Sequence, residues 1–253
     1  MKAAIKRALA GSAFEPMARI WWRRLRVGRE SGRNARDNAL TVQIMKRILR
    51  PDSNWVEVGA STGEFLWHVL RYAPRGRHHA FEPVPASVAR LHADLGTRIT
   101  LHAVAASDAA GEAEFQYVVG DAGYSGLRRR AYPRPDIEVR PIRVQTVRVD
   151  AVLPADLRID AMKVDVEGAE LQVLRGAEQT LRRWRPFVLF EHGRGAAEAY
   201  GTTPLILHDF LHGGLGYAIA LPEVWLAGGA PLDRDGFAAA FAGDTCNYLA
   251  YPV

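Results

Sequence analysis

The chain has 253 residues, 48% of them hydrophobic and 24% charged, which suits one large α/β domain or a domain with a short appendage and excludes a disordered chain. Its single cysteine, Cys246, excludes an internal disulfide or a cysteine-built metal cluster and suits a reducing compartment. The formal net charge of +5 is lopsided: residues 1–50 carry 13 Lys/Arg against 3 Asp/Glu and the remainder 20 against 25, so the mildly acidic core argues against a nucleic-acid surface.

No window approaches the ~18 uninterrupted apolar residues of a bilayer span. Lys6 and Arg7 also cut the apolar start where a secretory segment would continue, so a cytoplasmic protein is expected. The basic residues 1–50 carry two readings. One is a solvated helical extension; the other is peripheral attraction to an anionic partner or membrane surface. Residues 34–50 place Leu40, Ile44, Ile48 and Leu49 on one helical face, and Pro51-Asp52 ends that helix.

From residue 51 onward the chain alternates. Apolar strands are predicted at 54–59, 78–83, 99–105, 160–166 and 186–192, with helices at 62–72, 85–95 and 168–183. That order predicts a doubly wound α/β domain over 51–253, its mostly parallel sheet covered on both faces. Residues 112–119 and 139–149 break the pattern as an inserted β-hairpin. Two final strands, 216–221 and 246–252, are joined by a 24-residue segment.

The first strand runs into Glu57-Val58-Gly59-Ala60-Ser61-Thr62-Gly63-Glu64-Phe65. An acidic strand end, two glycines four apart and a following helix let a ligand approach the backbone closely. Position 61 is Ser and position 64 is Glu, so the nicotinamide fingerprint G-x-G-x-x-G is absent, and no P-loop lysine follows. The second strand ends in Glu82-Pro83, 19 residues after Gly63, where a carboxylate can accept hydrogen bonds from two ribose hydroxyls. The third leads into Ala105-Ala106-Ser107-Asp108, small enough for a flat ring and polar at its edge; Ser-Asp is equally a turn former.

Together these segments, VEVGASTGEF, FEPVPAS, AASDAAGEAEF, MKVDVEGAELQVLRGA, PFVLFEH and NYLAYP, resemble the FkbM-type methyltransferases over roughly residues 50–253. The resemblance implies the seven-stranded class I methyltransferase fold, S-adenosylmethionine as donor and oxygen as the usual acceptor. By motif position it implies that Glu57, Gly59, Ala60, Ser61 and Gly63 form the cofactor loop, that Glu82 and Pro83 lie at the ribose, and that Ser107 and Asp108 lie near the adenine. Many relatives carry Asn where this chain has Ser61.

Methyl transfer to a hydroxyl needs alignment of donor and acceptor and gains from a base. Lys163, Asp165 and Glu167 recur at a period of two and point to one side of the fourth strand. Either Lys163 simply neutralises Asp165, or Asp165 and Glu167 orient the acceptor. His192, at the tip of the fifth strand beside Gly193, is the base candidate, because a neutral imidazole accepts a proton near pH 7. Glu191 has two roles open to it, holding the histidine tautomer or ligating a divalent cation with Asp165, although no metal is predicted. The insert around Gly123 to Arg130 reads as a flap over the site. The expected activity is O-methylation of a small molecule, a sugar, glycan or polyketide-type metabolite. Methylation of nitrogen or carbon, or cofactor binding without catalysis, are the alternatives.

Overall fold

The computed structural model describes residues 32–130, 132, 137–243 and 245–253. Most of the basic segment, residues 1–31, therefore lies outside the described residues. Its last part, helix α1 (Gly32–Ile48), packs into the fold: Ile44 and Met45 are fully buried, and the Arg47 guanidinium donates to the Leu226 carbonyl at 2.9 Å. Among the described residues, no helix is long and apolar enough to cross a membrane.

Strand β1 (Trp55–Val58) leads through the glycine loop into α2 (Glu64–Tyr72), then β2 (His79–Phe81), α3 (Pro85–Leu95) and β3 (Thr100–His102). Three further strands, β4 (Ala105–Ala106), β5 (Gly111–Val118) and β6 (Val139–Val147), precede the short α4 (Val149–Val152) and β7 (Ala161–Val164). The chain ends with α5 (Glu170–Gly176), α6 (Glu178–Trp184), β8 (Phe187–Glu191), α7 (Pro204–His208), β9 (Tyr217–Ala220), α8 (Pro222–Leu226), α9 (Arg234–Ala242) and β10 (Asn247–Pro252). Seven strands form one sheet in the order β3-β2-β1-β7-β8-β10-β9. Within this sheet β10 runs antiparallel to both β8 and β9, and the other described pairings are parallel. This is the doubly wound, mostly parallel sheet that the strand–helix alternation predicts, with the seven strands that the resemblance implies.

Strand alternation sorts the side chains into two cores. Val56, Val58, Met162, Val164, Val188 and Phe190 face α5, α6, α7 and α9 through Leu171, Leu174, Leu181, Leu207 and Phe237. Trp55, Ala80, Ala161, Leu189 and Leu249 face α1, α2 and α3 through Ile44, Leu66, Trp67, Leu91 and Leu95. Each large apolar side chain fully buried in these layers contributes ~1.5–3 kcal/mol.

The predicted insert exists as β5 paired antiparallel with β6, in full register from Gly111–Thr146 to Val118–Val139. Three predicted elements differ. The strand expected at 99–105 is divided: Thr100–His102 joins the main sheet, whereas Ala105–Ala106 swings out to pair parallel with β6. The helix expected at 168–183 breaks after Gly176, because α5 passes directly over the β4 loop, where a Cβ on Gly176 would lie 2.0 Å from the Ser107 carbonyl oxygen. The segment before the last strand contains α8 and α9; the second is capped by Asp233, whose carboxylate accepts from the Gly236 N–H at 2.7 Å.

Candidate active site and cofactor cavity

A cavity of about 320 Å³ opens at the carboxyl ends of β1, β2, β7 and β8, where ligands of such sheets bind. One wall is the β1 loop. Gly59 has φ +82°, and the Gly59 and Ala60 N–H groups donate to the Phe81 carbonyl at 3.0 and 3.2 Å. A Cβ at Gly59 would sit 1.8 Å from the Asp165 carbonyl oxygen, so only glycine lets the β1 and β7 loops meet. Ala60, Ser61 and Thr62 line the cavity, and Ser61 is itself left-handed at φ +44°. Gly63 does not line it. Its φ of +68° turns the chain into α2, and its missing Cβ leaves room for Leu91.

Glu82 is buried at the cavity edge, with Pro83 beside it. One carboxylate oxygen accepts from the Ser61 N–H at 2.7 Å and the other from the Val84 N–H at 2.8 Å. Each oxygen keeps a further lone pair for another donor. Burial raises the Glu82 carboxyl above its ordinary value, against the pull of those two N–H groups. At the far wall, Val104, Ala105, Ala106 and Phe115 line the cavity. Ser107 and Asp108 do not: the Ser107 hydroxyl donates to Asp108 at 3.2 Å, and the Ser107 N–H donates to Val147. The pair forms the turn between β4 and β5. Ala122, Gly123, Ser125 and Leu127 from the insert also reach the cavity, as a flap would.

The floor is a buried charge cluster. Glu57 pairs in register with Lys163, and both lie on the face shared with Trp55 and Ala161. Lys163 Nζ donates to Asp165 at 2.7 Å. Burial opposes the lysine's charge, but Asp165 and Glu57 more than offset it and leave the ammonium above its ordinary range. Burial would raise Asp165 as well; Lys163 and a hydrogen bond from Glu191 hold it below the usual carboxylate value. Glu191 is pushed up to about 8 by burial and by the neighbouring Asp165 and Glu170 carboxylates. Glu57 is raised to about 7 by burial, against the attraction of Lys163. Asp165 thus accepts from Lys163 and lies beside Glu191, the one carboxyl held low and the other raised. Among the described residues, no group of three or more His, Cys, Asp or Glu is placed to hold a metal ion.

The sequence profile of the methyltransferase FkbM domain matches residues 57–217. The chain belongs to the FkbM methyltransferase family. It is thus an S-adenosylmethionine-dependent methyltransferase, as the resemblance implied. The chain is 32% identical to the 2-O-methyltransferase NoeI of Sinorhizobium fredii, over 59% of this chain and 67% of NoeI. It is 28% identical to the AMB antimetabolite synthetase AmbE of Pseudomonas aeruginosa over 58% of this chain, and that match spans only 9% of AmbE. Among solved structures it is similar to fibrillarin of Aeropyrum pernix in complex with S-adenosylmethionine, with TM-score 0.44, 13% identity and 84% of this chain covering 74% of that one. It is also similar to precorrin-6y C5,15-methyltransferase of Geobacter metallireducens, with TM-score 0.43, 12% identity and 85% of this chain covering 88% of that one.

The residues expected to be catalytic divide. Asp165 and Glu167 line the cavity, and Glu167, left-handed at φ +57°, is ion-paired with Arg130 of the insert. His192 does not reach it. Glu191 lies on the Lys163–Asp165 face of the sheet, so its successor faces the other core, fully buried against Phe237 and Phe241. Its Nδ1 is 3.9 Å from the Glu170 carboxylate, beyond hydrogen-bond range. At the tip of β8 it is Glu191, and not His192, that lines the cavity. Glu191 was singled out in the sequence only as an accessory, and the signal that favours it is register: Lys163 opposes Leu189, which sets Asp165 beside Glu191.

Proposed function

We propose that this enzyme methylates a hydroxyl group, with Asp165 as the proton acceptor and Glu191 as the group that orients it. The carrying observation is that these two carboxyls sit side by side on the cavity floor, with Lys163 donating to Asp165 at 2.7 Å. When bound, the cofactor supplies an electrophilic methyl group on a sulfonium. The chain's part is then to hold the hydroxyl in line and take its proton. An ionised Asp165 accepts the hydroxyl hydrogen. Lys163 keeps it ionised, and the Glu191 proton fixes its direction. Glu167, on the same loop, borders the acceptor side.

For the cofactor, Glu82 suits the two ribose hydroxyls, because each of its oxygens has one lone pair committed to the backbone and another remaining. The Gly59–Ser61 loop suits close approach of the amino acid part. Ala105 and Ala106 suit a flat ring. Oxygen as the acceptor atom is supported by the name of the relative NoeI, a 2-O-methyltransferase.

The test uses labelled S-adenosylmethionine with separate panels of glycosides, phenols, polyketide lactones and amines. Asp165→Asn should lower turnover by ~10²-fold or more while cofactor affinity measured by calorimetry holds. The parent should lose activity as pH rises through about 8, where Glu191 ionises, and Glu191→Gln should lack that limb. Transfer to amines alone, or cofactor binding with no transfer, would replace this reading with the nitrogen-directed or the inactive alternative.

A further inference from the structure

Helix α1 changes character along one face. Asn34, Asn38, Thr41, Met45 and Ile48 follow one another at helical spacing and share a stripe. Met45 is fully buried, and Ile48 packs beside it in the core with Leu66 and Trp67 of α2. One turn earlier the stripe turns polar, although the helix goes on packing against the fold. Thr41 is buried and borders a small cleft over Lys163, Glu191 and Asn247. Asn38, half-buried, lines the cofactor cavity, and Asn34 lines it one turn further out. The helix is held in this place: Asp37 accepts from the Asn247 side chain at 3.2 Å, and Asn247 pairs in register with Glu191. Among the described residues, no hydrogen bond engages the Asn38 amide. An apolar residue would pack this helix without leaving a half-buried amide unpartnered, so the polar stripe points to a guest in the cavity.

The place of Asn38 says which part of the guest it meets. Glu82 follows β2, and Ala105 and Ala106 form the wall beyond it. Strand β7 lies two strand spacings from β2, in the order β2-β1-β7, which is ~10 Å along the sheet edge. Helix α1 stands at that end, tied to β10 and packed on α2. A cofactor with its ribose at Glu82 and its ring at Ala105–Ala106 therefore sends its amino-acid end toward Asn38. That end carries an ammonium and a carboxylate. The ammonium has Glu57 and Asp165 on the cavity floor to approach. The same floor repels the carboxylate, and Lys163 is already bound to Asp165 at 2.7 Å. An amide on the α1 wall offers the carboxylate two N–H donors.

Resting on the placement of the ribose at Glu82, we propose that Asn38 is a further cofactor-binding residue. Its side-chain N–H groups hold the carboxylate of S-adenosylmethionine, and α1 is the wall of the amino-acid subsite.

The test is calorimetry on the full chain with S-adenosylhomocysteine, its decarboxylated analogue, and methylthioadenosine, which lacks the whole amino-acid end. The parent is compared with Asn38→Ala, Asn38→Asp and Glu82→Ala. Asn38→Ala should weaken S-adenosylhomocysteine ~10-fold or more, the loss of a hydrogen bond to a charged group. Asn38→Asp should weaken it further, because one carboxylate then faces another. Neither variant should weaken the two probes that lack the carboxylate, whereas Glu82→Ala should weaken all three. Unchanged S-adenosylhomocysteine affinity in Asn38→Ala overturns the assignment. So does equal weakening of all three probes, which would mark a structural role. Tighter binding of S-adenosylhomocysteine by Asn38→Asp overturns it too, by placing the ammonium at this wall. If Glu82→Ala leaves all three probes at parental affinity, it is the ribose placement that fails, and this inference falls with it.

Discussion

Two single positions carry much of the site's geometry. At Gly59, a methyl group would collide with the backbone oxygen of Asp165, which no rotamer can relieve, and the residue would also be forced to hold φ +82°. The left-handed conformation alone costs an L-residue ~1–2 kcal/mol. Gly59→Ala should therefore weaken cofactor binding at least ~10-fold and lower the Tm. Gly63→Ala carries the same left-handed cost at φ +68° but should do less, because the one close clash of its Cβ is with the end of the flexible Leu91 side chain. Calorimetry on the pair ranks them, and equal losses would show that the contact with Asp165 is not what matters. His192 is the second position. With the ring packed on Phe237 and Phe241, His192→Ala should behave as a core truncation and cost ~2–5 kcal/mol of stability. The fall in activity through about pH 8 should remain. Loss of a limb in the folded variant would return the imidazole to the chemistry.

At the scale of elements, the insert and the β7 loop are joined by the Arg130–Glu167 ion pair, each side chain only 14% exposed. Removing one partner of a buried pair leaves an uncompensated charge and costs ~3–5 kcal/mol locally. Arg130→Met keeps the stem and removes the charge. It should loosen the flap, seen as faster hydrogen exchange over residues 116–128 and faster cofactor release in stopped flow. Exchange unchanged from the parent would mean that the flap is held elsewhere, for instance by Arg128, whose guanidinium donates to the Ala199 carbonyl. Element boundaries also show what the sequence could reveal. The strands facing both cores were legible, because buried parallel strands read as short apolar runs between helical periods. The bend at Ala103-Val104 and the break at Gly176 were not: the first comes with the pairing of Ala105–Ala106 to β6, the second where α5 touches the β4 loop, and both are contacts between residues far apart in sequence. Helix α9 had its Asp233 cap in view, but Gly236 in its first turn obscured it. In the site, Glu57, Gly59 and Glu82 were readable from their places at strand ends. Choosing Glu191 over His192 needed the parity of β8 against β7, which one chain's pattern leaves open.

Across the whole molecule, the charge cluster at the sheet's carboxyl edge should leave a mark on stability. Glu57 and Glu191 have folded values of about 7 and about 8, both above the ordinary glutamate value of 4.5. Where pH lies between the unfolded and folded values, the native state holds protons that the unfolded chain has released, so stability falls as pH rises through that window. The histidines pull the other way. His79, lowered to about 4 by burial and its neighbours, and the lowered His78, His102 and His208 favour the native state as pH rises toward 6.5. The opposing slopes overlap below 6.5 and part above it. Stability of the cofactor-free protein should hence peak near pH 6–7 and decline toward pH 8–9, measured by urea unfolding in buffers of constant ionic strength. Glu191→Gln cannot ionise, so it should flatten the decline, and Glu57→Gln should flatten its lower part. Full retention of the slope in both variants would mean that these carboxyls are already ionised in the native state. That result would also remove the proton on which the proposed orientation of Asp165 depends.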